Sequence, residues 1–172
     1  MSQLLSSLFR IVLLRSNPGI LPASGLLVTL MAIVYAATSA LQSWIIHGGD
    51  RIVARTAVDL GLAFALFWVL LTATRSRHRY LQTISAVLGI SVVIAPIVIM
   101  LLLLMRGPAT TNYPVWLLTN TGSIAVTAWF LLAVGHIVKC ALETGYVTGV
   151  AVALTWLIAS KVITQKLFPV GA

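Results

Sequence analysis

The stretch "YLQTISAVLGISVVIAPIVIMLLLLM", Tyr80–Met105, decides the fold. It carries no charged side chain and is bracketed by Arg79 and Arg106. Crossing about 30 Å of hydrocarbon takes about 20 apolar residues at a helical rise of 1.5 Å each. This stretch exceeds that length, so it is predicted to span a membrane with room to tilt, and Pro96 predicts a kink. Composition makes the same argument for the whole chain. Of 172 residues, 60% are hydrophobic and only 8% charged, with mean hydropathy +1.06. A water-soluble domain of this size carries roughly 25% charged residues.

Working outward, further spans are predicted over about 25–46, 56–74, 116–142 and 146–168, although the last segment could also dip in and return. "HGGDR" closes the first span and "RGPATTNYP" joins the third to the fourth. The expected fold is therefore all-α: a polytopic membrane bundle of about five transmembrane helices over 25–172. Residues 1–24 precede it. "MSQLLSSLFRIVLLR" places Leu4, Leu5, Leu8, Phe9, Ile11 and Val12 on one face with Ser6, Ser7 and Arg10 opposite. That pattern predicts an amphipathic helix lying in the interface. "SNPGILPAS", with Pro18 and Pro22, is an elbow into the bilayer. Arg10 and Arg15 interrupt the apolar N-terminus, so a cleaved signal peptide is not expected.

The net charge is +8. Its basic residues punctuate apolar runs, which points to anionic lipid headgroups and topology and away from nucleic acid. "RSRHRY" concentrates Arg75, Arg77 and Arg79 and predicts a cytoplasmic loop. With five crossings, the N-terminus is then inside and the C-terminus outside. Arg10, Arg15 and Lys139 would join the cluster inside, with Arg51, Arg55, Arg106, Lys161 and Lys166 outside. Trp44 and Trp116 suit the outer headgroup belt.

Small residues recur at four-residue spacing, which lets helix backbones approach closely in lipid. They are Ala32, Ala36 and Ala40; Ala57, Gly61 and Ala65; Ser85 and Gly89; and Gly145, Gly149 and Ala153. Packing within the bundle is the first expectation, and a dimer seam at Gly145–Gly149 the second.

Chemistry-bearing residues cluster in "AVGHIVKCALETGY", Ala133–Tyr146. His136, Cys140 and Glu143 share one helix face, and His78 lies in the loop on the same predicted side. These are metal-binding residue types, but one helix face cannot surround an ion. The competing reading is a membrane exit, with Lys139 favouring the helix C-terminus, Glu143 pairing with it at i+4 and Gly145 stopping the helix. No metal is expected. His47 and His136 are predicted near opposite surfaces, so no haem pair is expected either. The single cysteine, Cys140, excludes an internal disulfide. Asp59 is the acid placed inside a span and is therefore a functional candidate. Arg55, one turn earlier, is its expected partner. The sequence holds no P-loop, no GxGxxG before a helix and no paired carboxylates, so no enzyme is expected.

At "RSNPGILPAS" and at "WFLLAVGHIVKCALETGY" the chain resembles small bacterial Yip1-like membrane proteins. The resemblance implies five spans, a cytoplasmic N-terminus and a terminal span opening with Gly145-Tyr146. It also implies a role in organising membranes or membrane proteins. The DLYGP-type motif of the eukaryotic members is absent, so a small-GTPase partner does not carry over. The function expected from sequence is thus a non-catalytic scaffold or accessory subunit of a bacterial inner membrane. Its expected partners are lipids and another integral membrane protein or itself. The alternative is a small proton- or cation-coupled transporter or channel using Asp59 or His136.

Overall fold

The computed structural model describes residues 22–49, 51–106 and 113–169. The predicted interfacial helix over 1–15 lies outside them. Five long helices follow one another: α1 Gly25–His47, α2 Ile52–Ala73, α3 Tyr80–Arg106, α4 Tyr113–Leu142 and α5 Tyr146–Leu167. Each is long and apolar enough to cross a membrane. The chain is an all-α integral membrane bundle, as its hydropathy predicted.

The predicted boundaries shift at two starts. α2 begins at Ile52 and α4 at Tyr113, each about a turn before the expected first residue. At the start of α2, Arg55 and Thr56 are buried, so the chain is helical there before it becomes apolar. α5 is one continuous helix, so the dip-and-return alternative is set aside. α3 continues as a single helix through Pro96.

α3 is the centre of the bundle. Thr83 to Ile90 is buried without a break, as befits a helix covered on every side. It packs against α1 and α4, and α5 packs against α4. At one end lie the α2–α3 loop with Arg75, Arg77 and Arg79, the end of α4 and the start of α5. At the other lie the end of α1, the start of α2 and the end of α5. These are called the arginine end and the far end below. Leu26, Ile33, Val53, Val69, Leu118, Ile124 and Val147 point outward. In lipid such exposure has no cost, and association rests on packing and hydrogen bonds.

The closest helix approach is between α4 and α5. A Cβ placed on Gly149 would run into the carbonyl of Gly135, and one on Gly135 would stand 2.6 Å from Cγ2 of Val150. Gly149 is thus buried inside the chain, which removes it from a dimer seam. Gly145 and Gly61 have open space where a Cβ would stand. Gly89 and Ala153 are buried.

Candidate functional site

The half of the bundle nearer the arginine end is solid. Phe67, Leu71, Ile84, Leu88, Val134, Ile137 and Val138 fill it and are all but inaccessible. The half nearer the far end is hollow. A cavity of about 350 Å³ lies there, and all five helices contribute to its walls. It reaches from His47, Lys161 and Thr164 near the far end to Tyr35, Ser91 and Thr127 at mid-helix. Its lining is unusually polar for a membrane interior.

The sequence dictates that lining through helical spacing. On α1, Tyr35, Thr38, Ser39, Gln42 and Ser43 recur at three- and four-residue steps, which puts them on one face. α2 adds Arg55, Thr56 and Asp59, and α5 adds Trp156, Ser160, Lys161 and Thr164. Several hydroxyls satisfy themselves locally. Thr38 donates to the Tyr35 carbonyl at 2.9 Å, Ser91 to Val87 at 2.9 Å and Thr127 to Ser123 at 2.8 Å. This hydroxyl stripe on α1 was the overlooked sequence signal for the site.

Asp59 is the meeting point of three helices. The Tyr35 hydroxyl of α1 donates to Oδ2, and the Ser160 hydroxyl of α5 donates to Oδ1 at 2.5 Å. Each carboxylate oxygen thus has one donor and keeps acceptor capacity for another. This corrects the expected pair with Arg55. Arg55 turns instead to the end of α5, where Nη2 donates to the Phe168 carbonyl at 3.3 Å. Its guanidinium also lies 5.4 Å from the centre of the Phe168 ring. The i+4 spacing allowed an Arg55–Asp59 contact, but partners from other helices took both groups.

At the arginine end the "GHIVKCALE" segment closes α4. Glu143 pairs with Arg79 at 2.5 Å, and Arg79 also donates to the Cys140 carbonyl at 3.0 Å. The expected partner Lys139 is displaced by an arginine reaching across from the α2–α3 loop. Glu143 itself ends α4, in left-handed conformation at φ 53, and the Thr144 amide returns to the Lys139 carbonyl at 3.2 Å. That is a Schellman-type stop. Gly145, expected to stop α4, instead precedes α5 as its N-cap. His136 and Cys140 lie 3.8 Å apart, while Glu143 is engaged by Arg79 and His78 sits in the short 3-10 turn Arg77–Arg79. Among the described residues no group of three or more His, Cys, Asp or Glu side chains is placed to hold a metal ion.

Compared with protein-family models, curated proteins and solved structures, the chain has no significant match. The site must be interpreted from its own chemistry.

Proposed function

We propose that this chain is a small carrier that takes a polar solute into the hollow half of the bundle and couples its movement to a proton or cation at Asp59. The observation that carries this is the floor of the cavity. A carboxylate held by donors from α1 and α5 ties three helices together, and its occupancy by a proton or cation would change all three contacts at once. Of the two acids among the described residues, Asp59 alone lies within a span, and intramembrane acids commonly mark ion or proton paths. The tight packing nearer the arginine end favours a carrier over an open pore, because a pore needs a continuous polar path. On this reading the arginine end faces the cytoplasm of a bacterial inner membrane, and the cavity opens to the opposite side. His136, outside the cavity, is not part of the path.

Proteoliposomes loaded with a pH-sensitive dye and offered polar solutes in turn should show solute-dependent proton or cation movement. Asp59→Asn should abolish it without loss of folding. The reading fails if no solute in the panel moves protons or cations, or if Asp59→Asn moves them as well as wild type.

A second reading, the scaffold or accessory role of a Yip1-like protein, is supported by Ala57, Gly61 and Ala65. They form a stripe on the exposed face of α2, the arrangement that lets another helix approach. Gly61→Leu should then abolish co-purification of a membrane partner or of a second copy, while flux is retained.

A further inference from the structure

Several buried polar groups along this cavity have no hydrogen-bond partner among the described residues. They are Arg55 Nε, Thr56 Oγ1, Ser43 Oγ and Trp156 Nε1. Arg55, Thr56 and Trp156 are 7%, 8% and 4% exposed. Native proteins rarely leave such groups unpaired, so an orphan of this kind calls for a missing partner. An arginine or indole N–H can only donate. The missing partner must therefore bring acceptors. The one carboxylate among the described residues of the cavity is not that partner, because Asp59 is already engaged by Tyr35 and Ser160.

We propose that Arg55, Thr56 and Ser43 form an oxyanion subsite between the mouth of the cavity and Asp59, and that the ligand carries a carboxylate or phosphate group. Helical rise puts Arg55 one turn from Asp59 toward the far end, with Thr56 next to it in the chain, and Ser43 lines the same cavity from further along α1. The Phe168 carbonyl holds one edge of the guanidinium through Nη2, which leaves Nε for the ligand. Charge points the same way. Among the described residues Arg55 and Lys161 line the cavity against the single carboxylate of Asp59, so an entering anion meets a net positive wall there. Low-dielectric walls around the cavity strengthen this attraction over its value in bulk water. The proposal rests on the carrier reading for its cavity and deepens it: the cargo is anionic, and a proton or cation at Asp59 offsets the charge of the cargo during movement. The acidic group could belong to a free solute or to a lipid headgroup, since both present the same oxygens.

The test is binding, which separates it from flux. The full-length protein in phosphatidylcholine nanodiscs is titrated with inorganic phosphate and with acetate at constant ionic strength. A parallel sample contains phosphatidylglycerol. Thermal unfolding and intrinsic tryptophan fluorescence are followed, with Trp156→Phe as the control for the signal from the cavity wall. A saturable rise in Tm with phosphate or acetate identifies a free solute; a rise only with phosphatidylglycerol identifies a lipid headgroup. Either rise should vanish in Arg55→Gln and persist in Asp59→Asn. Thr56→Val keeps the charge and removes one donor, and should weaken binding about tenfold. The proposal is overturned if none of the three probes stabilises the protein, or if Arg55→Gln and Thr56→Val respond as wild type does. Anion binding by a wild-type protein that shows no Asp59-dependent flux would sink the carrier reading alone.

Discussion

The two halves of this bundle are built from the same five helices and differ in almost every other respect. Toward the arginine end the facing positions are Phe, Leu, Ile, Val and Ala, and α4 and α5 touch backbone to backbone through Gly135 and Gly149. Toward the far end Ser, Thr, Gln, Tyr, Asp and Arg side chains join apolar ones such as Ile94, Val98 and Phe130 around a cavity. The difference teaches how a small membrane chain can afford a polar interior. Dense packing in one half fixes the helices, so the other half can leave space for polar side chains.

Substitutions that probe each half should separate them sharply. Phe67 is fully buried and meets Trp156 edge-on at 5.7 Å. Phe67→Ala should have the largest effect, about 3–5 kcal/mol, measured by reversible unfolding in detergent. Gly149→Ala comes next, since the Gly135 carbonyl occupies the space a methyl needs. Its cost should be about 1–3 kcal/mol, and Gly61→Ala, with open space around it, is the matched control. Arg79→Ala should cost less, about 0.2–1 kcal/mol, because its Glu143 partner is largely exposed. Thr127→Ala in the cavity wall should be smallest, within about 0.5 kcal/mol. If Thr127→Ala matched Phe67→Ala, the hollow half would be as tightly packed as the solid one and the contrast would be lost.

The spans were legible in the sequence because hydropathy is a property of each segment alone. Tyr80–Met105 is apolar on all faces, and its first half, Thr83 to Ile90, is buried at the centre. Partners were less legible because pairing is a property of two segments. Spacing on one helix offered Arg55 to Asp59 and Lys139 to Glu143. The fold brought Tyr35 and Ser160 to the first acid and Arg79 to the second, from helices whose relative placement no single-segment pattern specifies. Gly135 was overlooked for the same reason. It has no small residue four positions away on its own helix, and its importance comes from Gly149 on the next. The hydroxyl face of α1 was readable in principle, because Tyr35, Ser39 and Ser43 keep helical spacing. Each is individually ordinary, and only their convergence with α2 and α5 makes a site.

Water access to the floor of the cavity tests the central claim most directly. In a Cys140→Ser background, Ser91→Cys and Ala86→Cys place thiols on the same helix, one at the cavity floor and one in the solid half. A membrane-impermeant maleimide should modify Ser91→Cys from the side opposite Arg75, Arg77 and Arg79, and should leave Ala86→Cys untouched from either side. If Ser91→Cys stays unmodified from both sides, or Ala86→Cys reacts as fast, the bundle has no hollow half and Asp59 has no route to water.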